Sequence, residues 1–297
     1  MRVLIVGCGY VGLTLGAELA RQGHEVFGLR RTAPHSELEA ASIRPLTGDI
    51  TKPESIECIA EGFDWVANCV APSGGIEEYR KVYLEGMRNV LARLRKNPPL
   101  KFVYTSSTSV YGQNDGSLVD ERSSTEPPDE SARVLLETER LLLKTFSTDG
   151  FPAVALRVSG IYGPGRMRRA QKYLQRHAQV PGDSDRILNL IHRDDVALAT
   201  VAALRNGRSG EIYNAVDDEP VSDRELSRWV ANYLQPPAPS SLQTTHESRK
   251  RTVTNKRVAN HKLKSELGYQ FKYPTFREGY SAEIPNLMAE HAKGKEG

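Results

Sequence analysis

The chain has 297 residues, 39% apolar and 26% charged, with a formal net charge of +3. That balance allows one sizeable core with a smaller appended region, and the charge is too small to argue for nucleic acid or a membrane surface as partner. Cys8, Cys58 and Cys69 are odd in number and lack Cys-x-x-Cys spacing, so neither a disulfide framework nor a metal site is expected, and a reducing, cytoplasmic location is.

Residues 2 to 6 form a short apolar run, too short for a secretion signal, and no run approaches the ~20 residues of a membrane span. A glycine-rich turn follows, then "YVGLTLGAELARQG" at helical period and "HEVFGLR" as a second strand. The alternation continues through "FDWVANCVA" (63–71), a helix near 76–96, "LKFVYTSS" (100–107), a helix near 131–148 and "FPAVALRVSG" (151–160). Alternating strands and helices predict an α/β fold, a Rossmann-type doubly wound parallel sheet covered on both faces. Residues 1–165 are expected as the nucleotide-binding domain, and 166–285 as a smaller α/β substrate-covering region interleaved with the core. The loop "QPPAPSSLQ" (235–243) lies within that region, and 286–297 is expected as a flexible tail.

Gly7, Gly9 and Gly12 form G-x-G-x-x-G after a strand and at the start of a helix. In that context Gly7 permits the tight turn, Gly9 lets backbone approach a pyrophosphate, and Gly12 lets helix and strand pack closely. Tyr10 and Val11 lie inside the turn and belong to the same cofactor-binding set. At the end of the second strand, where a carboxylate would hold a ribose 2′-hydroxyl, the chain has Arg30 and Arg31, which select NADP over NAD. Asp49 of "TGDI", with Ile50 beside it, is placed to reach the adenine edge or to cap the turn before Pro53.

With "YTSSTSVYG", "LRVSGIYGPGR", "LIHRDDVA" and "GEIYNAVDDEPVS" following in order, the chain resembles the NAD-dependent epimerase/dehydratase family of extended short-chain dehydrogenases. Its ending, with the "SARVLLETERLL" helix, is more narrowly similar to the atypical YeeZ-like branch. The resemblance implies that Ser107 holds a substrate carbonyl with Ser106 as its neighbour, and that Val70 and Ala71 pack against the coenzyme. It further implies that Ser159, Gly160, Ile161 and Tyr162 lie along the nicotinamide and that Arg166 points toward the substrate, with His192 near the substrate cleft.

Two departures matter. The asparagine often found three residues before the glycine of "LEGMRNVL" is Tyr83. The family's tyrosine and lysine, which exchange a proton and hold the nicotinamide ribose, fall on Ser131 and Leu135. Losing a positioned acid typically costs 10²- to 10⁴-fold. Tyr111, Arg133 and His192 are the substitutes within the motifs; their plainer readings are a packing tyrosine, a solvated arginine and a structural histidine.

Basic runs at 165–177 and 246–262 suit an anionic, phosphate-bearing small-molecule substrate such as a nucleotide-linked sugar, or are simply solvated faces. The expected activity is that of an NADP(H)-dependent oxidoreductase or epimerase-like enzyme; the alternative is a catalytically degenerate NADP(H) sensor. The helices near 76–96 and 131–148 are the expected homodimer surface, as the resemblance implies.

Overall fold

The computed structural model describes residues 1–176, 184–234 and 254–296. The proline-rich stretch at 235–243 and the first part of the second basic run lie outside the described residues.

Seven parallel strands form the central sheet: β1 (Arg2–Val6), β2 (Glu25–Arg30), β3 (Ile43–Thr47), β4 (Trp65–Asn68), β5 (Lys101–Ser107), β6 (Ala153–Val158) and β7 (Ile212–Ala215). Their order is β3-β2-β1-β4-β5-β6-β7, so the winding reverses between β1 and β4, which pair in register from Val3–Trp65 to Val6–Asn68. Ligands of doubly wound sheets enter outside the strand carboxyl ends at such a reversal. All four residues of β4 and all six of β6 are buried, as strands covered on both faces require.

On one face lie α1 (Tyr10–Arg21) and the helix Arg193–Asn206, which share an apolar cluster with β1 and β6. The other face is covered by the helical stretch Ile76–Leu94 and by α2 (Glu130–Asp149). Asp129 caps α2 by accepting from the Ala132 amide at 2.9 Å, and Gly150 ends it in the left-handed region. Within the first stretch, Arg80–Glu85 is π-helical, between α-helical Ile76–Tyr79 and Gly86–Leu94. The two helices thought of as a dimer surface pack side by side in one chain, with Arg80 donating to Glu137 at 3.2 Å.

The chain past residue 165 supplies β7 and the helix Arg193–Asn206 to the main layers. The expected frayed tail instead continues the helix Phe276–Glu296. Phe276, Tyr280 and Ile284 anchor that helix in a third apolar cluster with Tyr162, Met167 and Val221. No helix among the described residues is long and apolar enough to cross a membrane.

Candidate functional site

A cavity of about 460 Å³ opens at the β1/β4 reversal. The glycine turn forms one wall. Gly7 adopts φ +83°, and a Cβ there would sit 2.7 Å from the Val70 backbone. A Cβ on Gly12 would fall 2.5 Å from the Gly7 carbonyl oxygen, whereas one on Gly9 meets nothing within 4 Å. The turn therefore packs tightly against the protein at positions 7 and 12 and leaves position 9 open to a ligand. No acidic residue occupies the first turn of α1, so the helix N-terminus keeps its positive potential.

At the end of β2 the Arg30 Nε donates to the Cys8 carbonyl, and its Nη2 lies 3.1 Å from Glu37. Arg31, on the cavity wall, pairs with Glu78 at 3.6 Å. Asp49 lines the cavity and also caps its own turn, accepting from the Thr51 amide at 2.9 Å and its hydroxyl at 2.8 Å. Ile50, Val70 and Ala71 complete that end.

Ser106 and Ser107 reach the cavity from the end of β5. The Ser106 hydroxyl donates to Glu139 of α2 at 2.6 Å, and the Ser107 hydroxyl accepts from the Ser109 amide at 3.2 Å. Ser159 and Ile161 line the same end. The Ser159 hydroxyl is buried and has no hydrogen-bond partner among the described residues. The glycine cradle, the uncrowded Gly9 and this orphaned hydroxyl fit a dinucleotide laid along the cavity.

Several expected site residues lie elsewhere. Tyr111 is fully buried away from the cavity; its hydroxyl donates to Asn214 at 2.9 Å and accepts from Arg157 at 2.8 Å. The Arg157 guanidinium is held in turn by Glu139, so Ser106, Glu139, Arg157 and Tyr111 form one buried network. Burial pushes the Tyr111 phenol up, against the pull of Arg157. Arg133 is exposed on α2 and Ser131 half-buried near its start; neither reaches the cavity. Gly160 pairs with Leu190 in a short parallel ladder. Tyr162 packs in the third cluster beside Tyr280, its hydroxyl donating to the Thr275 carbonyl at 3.4 Å.

His192 is also a structural residue, with no exposed surface. Its Nδ1 accepts from the Asp194 amide at 3.1 Å, capping the following helix, and its Nε2 faces Glu283 at 3.2 Å. Burial lowers its pKa to about 4, outweighing the opposing pull of Asp194. An unfolded histidine titrates near 6.5. The resulting stability is therefore complete above that pH and is lost as the pH falls toward about 4, by roughly 3 kcal/mol. Glu283, pushed up by burial, works in the opposite sense, so a paired comparison isolates the ring. Denaturation of the unaltered protein and His192→Gln at pH 7 and pH 4.5 should show the gap between them shrinking in acid; a constant gap would contradict this assignment.

Arg166 lies at the glycine-turn end, its guanidinium carbon 4.0 Å from the centre of the Tyr10 ring. It pairs with no carboxylate among the described residues, whereas Arg193, 5.3 Å from the same ring, is tied to Asp194 at 3.0 Å. The Tyr10 hydroxyl donates to the Pro164 carbonyl at 2.9 Å and so pins the loop that carries Arg166.

The sequence reading missed Cys8, Cys69, Val82 and Tyr83 on the cavity wall. Burial raises both thiols to about 12, partly opposed at Cys8 by Arg30, so they are neutral hydrophobes at ordinary pH. Cys8 lies within the glycine turn and Cys69 directly after β4, whereas Val82 and Tyr83 are carried by the π-helical turn.

The model of the NAD dependent epimerase/dehydratase family matches residues 3–215. Protein YeeZ of Escherichia coli is 26% identical over 92% of this chain and 96% of its own length. A 3 beta-hydroxysteroid dehydrogenase/Delta 5-->4-isomerase of Mycobacterium tuberculosis is 30% identical over 77% of this chain and 68% of its own length. Among solved structures, a Methylobacillus flagellatus protein assigned to the NAD-dependent epimerase/dehydratases is 31% identical, with a TM-score of 0.77 over 97% of this chain and 98% of that one. The UDP-glucose 4-epimerase of Thermotoga maritima shares the fold at a TM-score of 0.84 and 19% identity over 98% and 99% of the two chains. The matched span, the sheet order and the glycine cradle agree: the chain belongs to the NAD-dependent epimerase/dehydratase family.

Proposed function

We propose that the chain binds NADP(H) in this cavity and acts as an oxidoreductase or epimerase/dehydratase-like enzyme on a phosphate-bearing carbonyl or hydroxyl metabolite such as a nucleotide-linked sugar. The observation that carries the reading is the gathering of Ser106, Ser107 and the unpartnered Ser159 hydroxyl at the far end of a cavity whose near end is the glycine turn. A bound nicotinamide supplies hydride chemistry. The chain supplies backbone donors for the pyrophosphate and the Ser107 hydroxyl for a substrate oxygen. Arg166, uncompensated beside the first turn of α1, is placed for the pyrophosphate rather than for the substrate.

The choice of NADP rests on Arg30 and Arg31. Nε anchoring to the Cys8 carbonyl fixes the Arg30 guanidinium, and a 2′-phosphate would replace Glu37 and Glu78 as partner to the two cations. Calorimetry on Arg30→Asp should show NADPH affinity reduced about tenfold to a hundredfold, from loss of charge-assisted bonds, with NADH affected little. Unchanged NADPH affinity would defeat the assignment.

A second reading, a protein that binds NADP(H) without turnover, draws on Tyr111 being committed to Asn214 and Arg157 and on the apolar, buried Leu135. Turnover across a panel of sugar nucleotides with NADPH separates the two. Hydride transfer supports the enzyme, and binding with no transfer supports the sensor.

A further inference from the structure

α2 carries neither of the polar groups that would face the nicotinamide half of a dinucleotide: Ser131 stops short of the cavity and Leu135 is buried in apolar contacts. The cavity wall nevertheless contains two phenols, Tyr10 and Tyr83. The Tyr10 hydroxyl is spent on the Pro164 carbonyl. The Tyr83 hydroxyl makes no hydrogen bond among the described residues.

The position of Tyr83 follows from strand alternation. Successive side chains of β5 point to opposite faces, so Tyr104 and Ser106 share one. Ser106 reaches Glu139 of α2, which identifies that face as the one α2 covers. The Tyr83 ring meets Tyr104 edge-on at 6.4 Å and belongs to the apolar cluster that contains Leu135. Tyr83 thus enters the cavity on the α2 side, near the serines of β5. It is carried by the π-helical turn Arg80–Glu85, a rare widening of the helix that recurs at functional sites.

We propose that the Tyr83 hydroxyl donates a hydrogen bond to the nicotinamide ribose of the bound coenzyme, replacing from the neighbouring helix the contact that α2 has lost. The proposal rests on the coenzyme reading above but not on the preference for NADP. Burial, reinforced by Tyr79, pushes the Tyr83 phenol up, so it keeps its proton through the neutral range and remains a donor.

Tyr83→Phe removes the hydroxyl and keeps the ring between Tyr79 and Tyr104. Fluorescence titration with NADPH and NADH should show whichever dinucleotide the unaltered protein binds weakened about threefold to tenfold, the worth of one neutral hydrogen bond. Adenosine 2′,5′-bisphosphate and ADP, which lack the nicotinamide half, should bind the variant and the unaltered protein equally, and thermal unfolding should confirm an intact fold. Equal losses on dinucleotide and fragment, or no loss on either, overturn the proposal while leaving coenzyme binding in place. Failure of the unaltered protein to bind any dinucleotide overturns the coenzyme reading itself, and the proposal with it.

Discussion

Glu139→Ala is expected to lower the unfolding free energy by about 3–5 kcal/mol, because it strands a buried guanidinium. Arg157 is 3% exposed, and Glu139 receives its Nε at 3.2 Å and its Nη2 at 2.8 Å. Removing the carboxylate leaves those donors and the Ser106 hydroxyl without an acceptor, in a site too enclosed for water to serve freely. Calorimetry should show the melting temperature falling by roughly 10 °C. The pair itself need not stabilise the protein against an apolar equivalent, since desolvating two ions offsets much of their attraction. Glu139→Leu combined with Arg157→Met should therefore recover much of the loss. A decrease below about 1 kcal/mol for Glu139→Ala would mean that the guanidinium finds another partner.

Gly12→Ala and Gly9→Ala should separate packing from ligand approach. Helix propensity alone favours alanine at Gly12 by about 1 kcal/mol. Its Cβ, however, would lie 2.5 Å from the Gly7 carbonyl oxygen, a backbone atom that cannot swing aside. The clash should win, lowering the melting temperature and displacing the turn, with dinucleotide affinity reduced on the order of a hundredfold, about 2.7 kcal/mol. At Gly9 the added methyl meets no protein atom within 4 Å, so thermal stability should hold while affinity falls. Undiminished affinity in Gly9→Ala would show that no ligand backbone approach occurs there.

The glycine-turn end of the cavity was legible because its signals are local: glycines at fixed spacing between a strand and a helix, and two arginines where β2 ends, all of which mark its wall. The Glu139–Arg157 network was not. Its members lie 18 residues apart, and a glutamate in an amphipathic helix has the pattern of a solvated residue until the strand beneath is known. His192 carries the composition of a catalytic group but occupies a helix cap under the C-terminal helix. That helix was hidden for a related reason. Its charged, glycine-containing end suggests fraying, while the residues that hold it, Tyr280 and Ile284, pack against partners more than a hundred positions earlier, such as Tyr162 and Met167. The π-helical turn has no compositional signature, so Tyr83 stood out only as a departure from a family pattern.

The bond from the Tyr10 hydroxyl to the Pro164 carbonyl joins the first residue of α1 to a loop 154 positions later. The glycine turn and the loop 163–166 are consequently tied together at one end of the cavity. Whatever fixes the loop 163–166 also steadies the turn that receives the pyrophosphate, and reciprocity requires the reverse effect to be equal in size. A ligand that fixes this loop and a dinucleotide seated on the turn would then each raise the other's affinity by a common factor, and Tyr10→Phe, which keeps the ring and cuts the tie, is the change that would make them independent.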